Sequence, residues 1–318
     1  MLLAKYMNAD NWTRFYKISP GGNTTILLDS FQVQPRCRAE VANKLMGNLS
    51  LGGEQVGFIG WPGSESAGES PTLSMMGGEF CVNALRAYAA ALAFETGQTT
   101  WRGSIASSGA DGLINAYVTG GGKDVDAAIE VPLGKGCAVR PLPGDDGKEA
   151  CQGAIVELPG ITHIVLPGNP DYEVSSFEMD RDLIRSAENW RRAPGLAESP
   201  AVGCIWFYFK KDQLSMQPLV WVRETDSCCF ETSCGSGALA LALYLGAACG
   251  QKSCGAADDP VAEGVHSPPY ASYTNFYRIM QPSGQALWVS YSAAADALPK
   301  SAWLGGPCEI IARGEVNI

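Results

Sequence analysis

The segment Glu231–Ala238, ETSCGSGA, sets Cys234 directly before Gly-Ser-Gly and a long run of apolar, helix-favouring residues. A thiol in the first turn of a helix lies where unpaired backbone N–H groups and the positive end of the helix dipole converge, which favours the thiolate near neutral pH. The same N–H groups can hold a carboxylate, and glycines beside them let a ligand approach the backbone. Cys81 stands in a similar setting, FCVNALRAYAAALAFETG. Overlaying the two stretches matches Cys81 with Cys234, Asn83 with Ser236 and Gly97 with Gly250, each glycine sixteen residues past its cysteine. A glycine just past an apolar helix is a C-cap signal, so both units read as strand, tight turn with cysteine, then buried helix. The pattern points to a duplicated chain.

One such cysteine could be a nucleophile. Two suit a different task, in which one removes a proton from a carbon and the other supplies a proton to the opposite face. That chemistry inverts a stereocentre. When the carbon bears a carboxylate, two helix N-termini can stabilise the developing charge without an electron-sink cofactor. The chain has neither a glycine-rich dinucleotide fingerprint nor a P-loop, so no cofactor is expected.

The elements that must position these thiols are strand-rich. Runs of Val, Ile, Leu, Tyr and Trp cut by Gly/Pro turns predict strands at TTILLDSFQV, QVGFIGW, LINAYVTG, AIVELPG, THIVLP, CIWFYFKK, PLVWVRE, NFYRIM, ALWVSY and CEIIARGEV. Helices are predicted at Arg38–Leu51, Val82–Thr96, Asp182–Arg192 and Gly235–Cys249. The class is α+β. The Pro/Ala/Gly/Ser-rich segment Gln251–Ala271 reads as a long loop, either a surface insertion or a lid.

Composition narrows the partners. The 318 residues carry a formal net charge of −10, with no Lys/Arg cluster, which argues against nucleic acid. No segment offers the roughly 18 apolar residues that a membrane span requires, and the N-terminus reads as no export signal, so a cytoplasmic protein is expected. Eleven cysteines, an odd number in a long chain, do not suggest a disulfide framework. Only two histidines, His163 and His266, and no recurring CxxC leave no metal site expected.

ETSCGSGA resembles the second catalytic motif of the diaminopimelate-epimerase-like superfamily, and CVNALRAYA from Cys81 resembles its first. SPGGNTTILLDS is similar to a substrate-contacting Gly-x-Gly-Asn turn, placing Asn23, and LGGPCEIIARGEV to the closing strands, so the resemblance spans nearly the whole chain. It implies two pseudo-symmetric halves, each a β-rich barrel around a central helix, with the active site between them. Residues 1–125, joined by returning strands at 300–318, would form one half and 126–299 the other. It further implies that Cys81 and Cys234 are the acid/base pair, and that Asn23, Asn83, Gly235, Ser236 and Gly237 bind the two α-substituents of an amino acid. The resemblance also allows a homodimer.

Departures point to the substrate. The epimerase's Glu-Arg-Gly clamp for a distal carboxylate is absent from WVRETDSCCFETSC, where Arg223 precedes Glu224. The family's Gly-Asn-Pro-His turn matches only partly, either at Gly168–Asp171 or at Gly160–His163; His163 is then a substrate contact or a core histidine. Glu79 and Glu231 are either substrate contacts or acids favoured by a helix dipole. Within the superfamily, ETSCGSG and GGEFCVNA look most like the cofactor-independent histidine racemases of metallophore biosynthesis, whose substrate has no distal carboxylate. The alternatives are diaminopimelate epimerase, in which Arg223 would reach the substrate, and a non-enzymatic cysteine-rich metal or redox sensor using Cys228, Cys229 or Cys234.

Overall fold

The computed structural model describes residues 12–318 except 30–32, 65–67, 135, 143–152, 169–180, 194, 197, 224–226, 249–252, 255–268, 270–272 and 293–297. The chain forms two compact units, Met1–Glu130 with Gly305–Ile318, and Val131–Leu304.

In the first unit, β1 (Trp12–Pro20) pairs antiparallel with β2 (Thr25–Asp29), β2 parallel with β3 (Gln55–Gly60), and β3 antiparallel with β4 (Thr72–Met75). β4 runs parallel to β5 (Thr100–Ser107), and β5, β6 (Leu113–Gly121) and β7 (Asp124–Pro132) form an antiparallel meander. The last strand, here β17 (Ser301–Asn317), pairs with both β7 and β1 and closes an eight-stranded barrel. Closure removes the open strand edges. Inside lies α2 (Val82–Thr96), packed against β1 to β6. Its Ala/Leu-rich sequence is buried round the whole circumference over residues 82–93, as expected of a helix with no solvent face. Gly97 ends it in the left-handed conformation at φ 65°, its N–H reaching back to Phe94 O at 3.1 Å.

The second unit repeats the plan. β8 (Ala138–Pro141), β9 (Ala154–Leu158) and β10 (Ile161–Pro167) are antiparallel neighbours, and β10 runs parallel to β11 (Ala201–Lys210). β12 (Gln213–Val222) pairs with β11, β13 (Ser227–Phe230) and β15 (Asn275–Met280), and β15 with β14 (Ser253–Cys254) and β16 (Ala286–Tyr291). These strands wrap α4 (Gly235–Ala248), which contacts β8 to β11, β15 and β16. Outer helices cover each unit. α1 (Arg38–Met46) buries Ala42 and Leu45 against Ile26, Val56 and Phe58, and α3 (Arg181–Arg191) packs Ala187 beside Leu196, Val202 and Trp206.

All ten predicted runs form strands, and α2 has the predicted bounds. The helix read as Arg38–Leu51 stops at Met46, because Gly47 turns extended (φ −60°, ψ 142°) and Gly-Asn offers little helix propensity. The expected cap Gly250 and most of the 251–271 segment lie outside the described residues, although Ser253–Cys254 pair as a short strand rather than loop. No described helix is long and apolar enough to cross a membrane.

Candidate active site

In the first unit the site begins with two glycines. Gly21 and Gly22, at φ 76° and 108°, turn the chain sharply after β1 and deliver Asn23, which is buried. Its Oδ1 accepts from Gln55 Nε2 at 2.7 Å, and its Nδ2 donates to Glu54 Oε2 at 3.2 Å. Gln55 also donates to Thr25 Oγ1 at 2.7 Å and accepts the Cys81 thiol proton on Oε1 at 3.2 Å. One amide therefore ties the turn to the thiol.

Cys81 is the N-cap of α2, with extended backbone (φ −129°, ψ 109°), and its sulfur accepts from Ala84 N–H at 3.5 Å. Asn83, buried in the first turn of α2, accepts on Oδ1 from Arg86 Nη1 at 3.2 Å. Arg86 is fully buried without a carboxylate among these partners; its other nitrogens donate to Ala127 O at 2.9 Å and Pro307 O at 3.1 Å, fastening two barrel strands to the helix. Gly109 holds the approach to Cys81. At φ 69° it packs so tightly that a Cβ would sit 2.3 Å from Phe80 N, and Ser108 Oγ next to it donates to Glu79 O at 2.9 Å. The Glu79 side chain is exposed.

The second unit presents its cysteine in the same manner. Cys234 Sγ accepts from Gly237 N–H at 3.4 Å, three residues on, and Cys234 O accepts from Ala238 N–H at 3.0 Å. The first unit has the equivalent pair, Ala84 N–H on Cys81 Sγ and Leu85 N–H on Cys81 O at 3.1 Å. Gln281 Oε1 accepts the Cys234 N–H at 3.0 Å from the turn after β15. Gly235 opens the helix, and Gly237 is a glycine because of crowding: a Cβ would lie 2.7 Å from Ile205 Cδ1 and 3.2 Å from both Cys234 Sγ and Met216 Cε. Ser236 Oγ lies 3.6 Å from Cys234 Sγ and 2.9 Å from His163 Nε2.

The electrostatics of Cys234 differ from the expectation. A helix N-terminus alone would lower its pKa, whereas in the folded unit burial raises it well above the ordinary thiol value, helped by the Glu231 carboxylate, which also accepts a hydrogen bond from the thiol. Ser236 and the Gly237 N–H pull the other way, with less effect. The helix-end field is a local effect, and desolvation of a side chain only 4% exposed outweighs it. Cys234 therefore rests as a thiol. His163 is fully buried, and desolvation lowers its pKa to about 3, so its ring is neutral at physiological pH.

The structure thus joins Asn23 to Cys81 through Gln55, and His163 and Ser236 to Cys234; Glu79 joins its group through backbone alone. Gln55 and Gln281 are the residues that local motifs miss. The only trace of Gln55 is a polar residue opening the otherwise apolar strand β3. Of the two registers for the Gly-Asn-Pro-His turn, residues 169–171 lie outside the described residues, and His163 of the other sits inside β10. Among the described residues no group of three or more His, Cys, Asp or Glu could hold a metal ion. Cys228 and Cys229 are exposed on β13, while Cys234 is buried.

A family model described as the histidine racemase CntK N-terminal domain matches residues 13–263. A histidine racemase of Fusobacterium nucleatum subsp. nucleatum is 30% identical over 311 residues, covering 96% of this chain and 97% of that protein. The chain belongs to the histidine racemase family. It is an isomerase. A histidine racemase of Staphylococcus aureus is 26% identical over 231 residues, 72% of this chain and 78% of its own. Among solved structures, a probable proline racemase from Agrobacterium radiobacter with bound carbonate superposes with TM-score 0.61 at 12% identity, covering 96% of this chain and 92% of that one. At that identity the likeness is one of fold. In the enzyme Arg223 is exposed, donates from Nε to Ser199 O at 3.0 Å and stacks over Trp221, so these contacts give a distal-carboxylate clamp no support.

Proposed function

We propose that this enzyme interconverts L- and D-histidine by direct proton transfer at the α-carbon, with Cys81 and Cys234 as the two bases and without pyridoxal phosphate or metal. The observation that carries the reading is the equivalence of the two cysteines: each caps a buried central helix and takes the N–H three residues on. One thiolate takes the α-proton, and the other residue, as a thiol, delivers its own to the opposite face. Each turnover leaves the protonation states exchanged, ready for the reverse reaction.

The α-carboxylate is held by the N–H groups of Gly235 and Ser236, where the helix end favours an anion, and Gly237 lines the same turn with its N–H on Cys234 Sγ. Asn23 and Asn83 meet the α-substituents, Glu79 lies at the rim, and Glu231 receives the Cys234 thiol hydrogen. The high pKa of resting Cys234 suits a proton donor. Water exclusion and a bound carboxylate bring the α-carbon acid and the thiol closer in acidity. We further place the enzyme in the cytoplasm, supplying D-histidine to metallophore biosynthesis, on the resemblance of ETSCGSG and GGEFCVNA to racemases of that route.

The test is a panel of L-amino acids, including histidine and diaminopimelate, incubated with reductant and no added cofactor and resolved by chiral chromatography. D-Histidine as the principal product supports the reading. Epimerisation of diaminopimelate alone overturns the substrate assignment.

A further inference from the structure

The interior of the second unit holds a polar chain that ends on the reacting sulfur. His163 points from β10 toward α4, where its Nε2 meets Ser236 Oγ at 2.9 Å, and that hydroxyl lies 3.6 Å from Cys234 Sγ. The ring's other nitrogen, Nδ1, is buried with no hydrogen-bond partner among the described residues. It faces the parallel neighbour Gly203, whose missing side chain makes room: a Cβ there would lie 2.2 Å from Nδ1. Histidine and glycine at these paired positions form one unit of shape.

The orphaned Nδ1 fixes the direction of the chain. The bare Cα of Gly203 accepts no proton, so a hydrogen on Nδ1 would be a buried donor without an acceptor, which folded proteins avoid more strictly than an unmet lone pair. The proton belongs on Nε2, where Ser236 Oγ accepts it. The serine oxygen then has its own hydrogen left to donate, and the Cys234 sulfur is within reach for a sulfur acceptor. With His163 neutral, the chain passes no proton along and acts only by orientation and polarisation.

We propose that His163 is a positioning residue for Cys234: its Nε2–H holds the Ser236 hydroxyl so that the hydroxyl hydrogen is directed at the sulfur and stabilises the thiolate. The sulfur then has two distinct environments. As a thiol it donates to the Glu231 carboxylate; as a thiolate it accepts from Ser236 Oγ–H and Gly237 N–H. Glu231 is the charged group that faces the sulfur, and the other neighbours, Ile205, Met216 and Gln281, do not titrate. The catalytic consequence rests on the racemase reading, but both readouts below are independent of turnover, so the two ideas fail separately.

The first readout needs no variant of the site in question. In protein labelled with ¹⁵N-histidine, the two histidines, His163 and His266, give two sets of signals, assigned by losing one in His266→Gln. The proposal expects His163 as the Nε2–H tautomer and uncharged from pH 8 down to pH 5. An Nδ1–H tautomer, or protonation in that range, overturns it. The second readout is the thiolate absorbance near 240 nm, taken as the difference between each protein and the same protein carrying Cys234→Ala. His163→Leu is expected to move the Cys234 midpoint up by about half to one pH unit, the size of a weakened charge-assisted hydrogen bond. His163→Gln, which keeps an N–H donor, should restore most of it. In a Ser236→Ala background His163→Leu should add nothing further. No shift in the single variant, or an equal shift in both backgrounds, refutes a role through Ser236.

Discussion

Gly237→Ala separates the stability of the second unit from its chemistry. The added methyl meets Ile205 Cδ1 at 2.7 Å and Met216 Cε and Cys234 Sγ at 3.2 Å. The first two are ends of flexible side chains and can yield, at an overpacking cost of about 1–3 kcal/mol. Alanine in place of glycine in a helix returns about 1 kcal/mol, so the net loss of stability is about 0–2 kcal/mol, too small to unfold an ordinary domain. The sulfur is different. It is held by the very N–H that carries the new methyl's backbone, and it must move by a few tenths of an ångström. Geometry errors of about 1 Å can cost 100-fold in rate, so a shift of that smaller size should lower kcat by about 10-fold. The assay pairs thermal unfolding with racemisation followed by the change in optical rotation. A melting temperature within a few degrees of the parent, with activity reduced about tenfold, is expected. Unchanged activity in the folded variant would count against the proposed role of the Cys234 sulfur held by Gly237.

Three further outcomes are expected. Because His163 is held neutral with its pKa lowered to about 3, the unfolded chain takes up a proton below pH 6.5 that the folded chain refuses. Stability should therefore fall as pH drops from 6.5 toward 3, by at most about 5 kcal/mol from this group, and denaturant titration should show a shallower slope in His163→Gln, most cleanly between about pH 6.5 and 5, above the range in which carboxylates titrate. Arg86→Met removes the donor shared by Ala127 O, Pro307 O and Asn83 Oδ1, and should cost about 3 kcal/mol by chemical denaturation, since two buried acceptors and one part-buried acceptor lose their partner. Gln55→Leu cuts the link between Asn23 and Cys81; it should lower kcat and cost about 1–3 kcal/mol of stability, because Asn23 Oδ1 and Thr25 Oγ1 lose their donor, and an unaltered kcat would remove Gln55 from the site.

The parts of this molecule legible in sequence are those governed by short-range rules. The Ala-rich helix α2, its N-cap cysteine and its terminating Gly97 are all encoded within seventeen consecutive residues, and the match to the stretch after Cys234 marks the second site without any tertiary information. Strands β2, β3 and β10 show as apolar runs because they are buried along most of their length. β1 is less legible, since Thr13, Arg14 and Lys17 break its apolar character even though most of its residues are buried in the barrel. The contacts of Gln55 with Cys81 and of His163 with Ser236 join positions 26 and 73 residues apart, and no local pattern announces them. The same holds for the Cys234 acidity: the field of the helix end can be read from the sequence, but the burial that overrides it is made by β11, β12 and the turn at Gln281.

The most direct test of the two-base account is the isotopic content of D-histidine formed from L-histidine in D2O at low conversion. If Cys81 and Cys234 act as separate bases, every D-histidine molecule carries one deuterium at the α-carbon while the remaining L-histidine is scarcely labelled, and Cys81→Ser and Cys234→Ser each abolish D-histidine formation. D-Histidine that retains the original protium, or substantial turnover in either serine variant, would contradict it.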